Sequence, residues 1–187
     1  LYGSYLVVPT DSTYWPPVNR EVILMLDDIL LDEKAVHPFY QNVTDYAMMG
    51  RFGNVLLING DANHVLHVKR NETIRFYTLN ASNARVFNLQ YSRDMDMNII
   101  GSDNGRFEFP SARESYIIAP SERVIFQLGF NDGLDDYDTL ALLNVTPTGT
   151  TVLSKIVYDS DTIKTDLRTS LALVQSHPVA PHLQLVH

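Results

Sequence analysis

The chain has 187 residues, 22 of them Asp or Glu against 14 Lys or Arg, for a formal net charge of −8. That length supports one full domain or two very small ones, and 45% hydrophobic against 19% charged residues is a globular composition. The acidic balance excludes nucleic acid as the main partner, because phosphate binding needs a basic face. The lack of any cysteine excludes disulfides, thiolate nucleophiles, Cys-based zinc sites, iron–sulfur clusters and a blue copper centre.

In chain order, short apolar or alternating segments are separated by turn residues. The chain opens on Leu1 rather than Met, with a strand-like Tyr5-Leu6-Val7-Val8, so it reads as a piece cut from something longer; no signal peptide is visible. Strands are expected at 2–8, 21–27, 55–59, 65–69, 73–80, 85–91, 95–100, 115–118, 123–129, 139–145 and 151–157. Ile74 and Phe76, Val86 and Leu89, and Val124, Phe126 and Leu128 suggest one apolar face per strand. Asn59-Gly60, Asp103-Asn104-Gly105, Asn131-Asp132-Gly133 and Thr148-Gly149 supply turn residues that tolerate positive φ. Helix is expected only near 43–49 and 161–174. Trp15-Pro16-Pro17 marks 11–19 as a connector, since consecutive prolines forbid helix and ladder bonding. The proline-containing stretch from His177 reads as an exit linker. About eleven strands at such spacing imply an antiparallel β-sandwich. The longest apolar run, Val22-Ile23-Leu24-Met25-Leu26, is far short of the roughly 18 residues that span a bilayer.

Local chemistry is sparse. His64 and His67 are three apart, which in a strand points them to opposite faces, so they are weak metal candidates. His177, His182 and His187 recur in the tail, where a transition metal could be captured or the side chains simply solvated; His37 precedes a proline and reads as a loop residue. Asp132, Asp135, Asp136 and Asp138 mark a solvated turn, not an EF-hand, whose ligands fall at another spacing. No Gly-x-Ser-x-Gly occurs, and Met49-Gly50-Arg51-Phe52-Gly53 lacks the Lys-Ser/Thr of a P-loop. Sequons at Asn42, Asn71, Asn80 and Asn144 fall largely within expected strands. No catalytic residue is assigned.

The stretch from Phe52 to Arg123 is more specific. It carries Gly53-Asn54-Val55-Leu56-Leu57-Ile58-Asn59-Gly60, then Arg75-Phe76-Tyr77-Thr78-Leu79-Asn80-Ala81-Ser82-Asn83-Ala84-Arg85. The turn Asp103-Asn104-Gly105 and the strand entry Ala119-Pro120-Ser121-Glu122-Arg123 follow. This succession resembles the middle cupredoxin-like domain of three-domain multicopper oxidases, the laccase-like enzymes. The resemblance covers about residues 1–145, and Asn104, where many relatives have Gly, is a departure from it.

The resemblance implies an all-β, cupredoxin-like Greek-key sandwich over residues 20–158. Residues 1–19 would be the end of a preceding domain and its linker, and 159–187 a C-terminal linker or tail. Asn59 and Gly60 would make a tight turn. Arg75 and Arg85 would flank the Asn80–Asn83 corner, at least one of them partly buried against a carboxylate or carbonyls. Asp103, Gly105 and Arg123 complete the set of expected structural residues. Parent enzymes oxidise phenols, amines or metal ions and reduce dioxygen at copper centres held by Cys, Met and His-x-His pairs. This chain has no Cys and no His-x-His, so none of those positions carries over. The implied role is a copper-free middle domain, inactive alone, whose partners are the flanking cupredoxin domains of one polypeptide, with neither nucleic acid nor membrane among them. Copper belongs to the parent, and a secreted, periplasmic or cell-surface location goes with the family. The alternative is a stand-alone cupredoxin-like interaction module that has lost its metal.

Overall fold

The computed structural model describes residues 3–33, 35–36, 50–130 and 140–164. The calls on 43–49, on the acidic cluster and its Asn131-Asp132-Gly133 turn, on Asn42, on His37, His177, His182 and His187 and on most of 161–174 lie outside those residues. Eleven strands form the structure: β1 (Arg20–Ile29), β2 (Val55–Ile58), β3 (Val65–Arg70), β4 (Glu72–Asn80), β5 (Phe87–Tyr91), β6 (Met97–Ser102), β7 (Gly105–Arg113), β8 (Ser115–Ile118), β9 (Arg123–Phe130), β10 (Leu140–Thr146) and β11 (Gly149–Thr162). Among the described residues there is no helix.

The strands make a six-stranded sheet, β2-β1-β4-β9-β6-β7, and a five-stranded sheet, β3-β11-β10-β5-β8. Side chains from the facing surfaces form one core, in which Phe76 and Phe126 stack at 4.9 Å across neighbouring strands β4 and β9. The alternation is plain in β5, where Phe87, Leu89 and Tyr91 are buried, and in β3, where Leu66 and Val68 are. Each burial removes apolar area worth roughly 25 cal/mol per Å². Burial in the apolar core also raises the Tyr91 hydroxyl's pKa.

The all-β sandwich matches the sequence reading, with four differences of detail. β1 pairs parallel with β4, and β3 parallel with β11, so both sheets are mixed. Residue alternation specifies which face a strand buries but not which way it runs. Residues 3–8, expected as a strand, are extended and exposed and join no ladder among the described residues. Strand β7 was not expected, since it lies at a sheet edge with Phe107 and Phe109 exposed and Pro110 within it. Finally, β11 runs on to Thr162, through two residues of the segment expected to be helical.

The central strand β4 is buried along almost its whole length. Its inward residues, Ile74 and Phe76, pack in the core. Its outward residues are covered because the 11–19 connector lies across that face. Asn19 N–H donates to Thr73 O at 2.9 Å, and Asn19 Oδ1 accepts from Thr73 N–H at 2.7 Å. Trp15 takes the space beside Gly101, where a Cβ would meet the indole at 3.1 Å and the Gly105 carbonyl oxygen at 2.7 Å.

Candidate functional site

The motif residues other than Arg75, scattered from Gly53 to Arg123 in sequence, gather at one end of the sandwich. There β1, β4 and β6 finish and β9 begins, with Leu26 opposite Asn80, Leu79 opposite Arg123 and Ser102 opposite Val124. Asn59 and Gly60 adopt φ of 52° and 83°, closing the turn after β2. The Asn59 side chain then continues the ladder: its Oδ1 accepts from Met25 N–H and its Nδ2 donates to Ile23 O, both at 2.9 Å. An amide of that length can stand in for one peptide unit.

Asn80 is wholly buried at the corner after β4. Its Nδ2 donates to the carbonyls of Arg85 at 2.7 Å and Ile118 at 3.0 Å. Its Oδ1 accepts from Ser82 N–H at 3.0 Å and Ser82 Oγ at 2.6 Å. The Asn80 backbone grips the Ala119–Glu122 turn, with Ser121 N–H donating to Asn80 O at 2.8 Å and Asn80 N–H to Glu122 O at 3.1 Å. Glu122 closes that turn, accepting from Ala119 N–H at 2.8 Å and Tyr116 Oη at 3.0 Å. Burial and that carboxylate raise the Tyr116 pKa to about 12. Asn83 is exposed.

Arg85 spans to β1 by its side chain. Its Nε donates to Asp28 Oδ2 at 2.7 Å and its Nη2 to Gly53 O at 2.6 Å, while Gly53 N–H donates to the same Asp28 oxygen at 2.6 Å. Guanidinium, carboxylate and peptide thus close a ring, with Phe52 lying 5.5 Å from the guanidinium. A Cβ on Gly53 would lie 2.5 Å from the Ile29 backbone, so only glycine fits there. Arg123 donates Nε to Asp103 Oδ1 at 2.5 Å and its backbone N–H to the same oxygen at 3.1 Å, tying the Asp103-Asn104-Gly105 turn to β9. Gly105 takes φ of 108°, a conformation that glycine alone adopts without strain.

Arg75 lies apart from that corner. It is buried beneath the connector, donating to Glu21 Oε1 on β1 and to the Pro16 carbonyl, and lies 5.4 Å from the Trp15 ring centre. Tyr77 Oη donates to the same Glu21 oxygen at 3.1 Å, and burial of its ring raises its pKa. Arg106 holds the connector a second time, donating to the Tyr14 carbonyl and lying 5.0 Å from the Tyr14 ring. Nothing in the sequence links Arg106 to this role, because the contact joins residues 92 apart.

No protein-family model matches the chain. The cell division protein FtsP of Photorhabdus laumondii is 40% identical over 127 residues, 66% of this chain and 26% of that protein. The multicopper oxidase LPR1 of Arabidopsis thaliana is 37% identical over 90 residues, 48% of this chain and 14% of that protein. The laccase-like multi-copper oxidase CueO of Ochrobactrum sp. superposes with a TM-score of 0.64 at 25% identity, over 79% of this chain and 34% of that one. The chain is a multicopper oxidase-like cupredoxin domain. It spans about a quarter or less of the length of these two curated relatives.

The two histidines of this cupredoxin domain that lie among the described residues are each engaged elsewhere. His64 Nδ1 pairs with Ser154 Oγ at 2.8 Å, whereas His67 Nδ1 meets Asp159 Oδ1 at 3.0 Å. The two rings go to different partners, and burial lowers the pKa of His64. Among the described residues no three His, Cys, Asp or Glu side chains come together as a metal-holding group. The sequons at Asn80 and Asn144 lie on buried side chains, Asn144 Oδ1 accepting from Asn88 N–H at 2.9 Å, so neither can carry a glycan in the folded domain.

One buried acid invites a pH test. Asp27 is 6% exposed, and its pKa is raised, first by burial and then by the neighbouring Asp28 charge, against a bond from Asp28 N–H that lowers it. A raised carboxyl pKa favours the folded state most fully below the unfolded value of about 3.9, and that contribution is lost as pH rises through the folded value. Asp27→Asn keeps an oxygen for Asp28 N–H and removes the charge. The variant is expected to have a higher urea midpoint than the parent at pH 7, the gap closing toward pH 4; an equal gap at both pH values would refute this.

Proposed function

We propose that this cupredoxin domain is a copper-free structural unit of a laccase-like multicopper oxidase polypeptide, holding the copper-bearing domains in place and inactive alone. The observation that carries this reading is the use made of the family-like residues. Asn59, Asn80, Arg85, Asp103, Glu122 and Arg123 all bond to backbone groups or charged side chains of the strands and turns that meet at one end of the sandwich. They serve as joinery there, and none is placed with others as a metal ligand. Copper added to the 187-residue chain should give no intense visible band, no type 1 EPR signal and no turnover of a phenol. The appearance of all three would sink the proposal.

The 40% likeness to the cell division protein FtsP favours a second reading, in which the parent polypeptide serves cell division and not oxidation. Elemental analysis of the full-length parent separates the two. Stoichiometric copper with oxidase activity supports the first, and a stable copper-free parent supports the second. The structural role of this domain is the same in both.

A further inference from the structure

The outer face of the six-stranded sheet carries an apolar row that the connector covers only in part, leaving Ile23 exposed and Tyr77 and Ile125 half-buried. Register places Ile23 beside Tyr77, Tyr77 beside Ile125 and Ile125 beside Gly101, on four consecutive strands. Such outward positions are ordinarily polar in a sandwich, because they face water. Here Trp15 stands over the Gly101 end of the row, and Tyr77 meets it edge-on at 6.5 Å. A cleft of about 730 Å³ opens at this place, within the usual range for small-molecule sites.

On the connector and sheet side its wall is held before any ligand arrives, while residues 3–7, an exposed stretch that joins no ladder among the described residues, and Pro9 line the remainder. Arg75 fixes the Pro16 carbonyl, Arg106 fixes the Tyr14 carbonyl, and Gly101 admits the indole. At one end sits the Asp103–Arg123 pair. Asp103 engages the Nε and backbone nitrogen of Arg123, whose two terminal nitrogens bond no other described residue. Those two nitrogens form the planar fork that matches a carboxylate. A cation finds less to bind, because guanidinium groups already lie against the rings of Trp15 and Tyr14.

We infer that this cleft is a binding site for a small planar aromatic carboxylate, its ring packed on Ile23, Tyr77 and Ile125 beside Trp15 and its carboxylate on the Arg123 guanidinium. The site needs no metal and is independent of the role proposed for the domain. Trp15 is the only tryptophan in the chain, so its emission reports occupancy directly.

The 187-residue chain should be titrated with naphthalene-1-carboxylate, with the neutral 1-naphthalenemethanol and with the cationic 1-naphthylmethylamine. The carboxylate is expected to change Trp15 emission saturably and to bind about tenfold tighter than the other two, the worth of one charge-assisted pairing. Arg123→Gln, at an exposed side chain, should bring the carboxylate down to the level of the alcohol and leave the alcohol unchanged. Calorimetry should return the same constants. The inference is overturned if no probe saturates, if all three bind alike, or if Arg123→Gln leaves the carboxylate affinity intact while circular dichroism shows a folded protein.

Discussion

Replacing Arg85 with methionine is expected to destabilise the domain by about 3 kcal/mol, the lower end of the range for breaking a buried ion pair. The carboxylate left behind is the reason. The Asp28 side chain is only 1% exposed, and the guanidinium bonds both to it and to the Gly53 carbonyl. Methionine can fill much of the volume but supplies neither donor. One bond to Asp28 survives, from Gly53 N–H at 2.6 Å, which keeps the loss from being larger. The measurement is the urea midpoint of Arg85→Met against the parent at equal slope. A double variant, Arg85→Met with Asp28→Asn, tests the cause. It removes the uncompensated charge yet keeps an oxygen for Gly53 N–H, so it should be more stable than Arg85→Met alone. Equal losses in the two variants would show that packing, not the stranded charge, sets the cost.

The sequence makes some of this architecture legible and hides the rest for physical reasons. Period-two alternation finds β9 because it has one face in the core. In β5 the expected pair Val86 and Leu89 is three apart, and the structure buries Phe87, Leu89 and Tyr91 while leaving Val86 exposed. Asn59-Gly60 announces its turn because few residue pairs accept two positive φ values. Pairing direction is invisible, since the same side-chain pattern serves β1 whether β4 runs parallel or antiparallel to it. Residues 3–8 have the β-branched and aromatic composition of a strand, but β-propensity measures fitness for a pleated, half-buried surface and supplies no neighbour. Conversely β7 pairs with β6 although Phe107 and Phe109 point to no core, and an edge strand leaves a weak apolar signature. Within the motif, Asn80 and Arg85 share the corner. Arg75, only five residues from Asn80, belongs to another contact altogether, because its strand carries it under the connector. That connector reads as a plain linker in sequence; its docking depends on Arg75, Arg106 and Gly101, each distant from it along the chain.

Asn80→Ala is expected to cost about 4 kcal/mol or more, because several buried groups lose partners together and each unsatisfied one costs about 1–3 kcal/mol. The carbonyls of Arg85 and Ile118 lose Nδ2 as donor, and Ser82 N–H loses Oδ1 as acceptor. Ser82 Oγ retains one bond, to Arg85 O at 2.8 Å, so the Arg85 carbonyl keeps a single donor while the Ile118 carbonyl loses the side-chain one. The Asn80 backbone bonds to the Ser121–Glu122 turn do not depend on the side chain, and they should keep the corner recognisable. Asn80→Asp isolates the donor role. It preserves shape and the acceptor for Ser82 but aims an oxygen at two carbonyls, and the repulsion grows when the acid ionises. Its stability should therefore fall further behind the parent as pH rises from 4 to 7, opposite in sign to the effect expected for removing the Asp27 charge. Equilibrium urea melts at both pH values are the measurement. If Asn80→Asp matched the parent throughout, the two donated bonds would contribute nothing, and the corner would be held by its backbone alone.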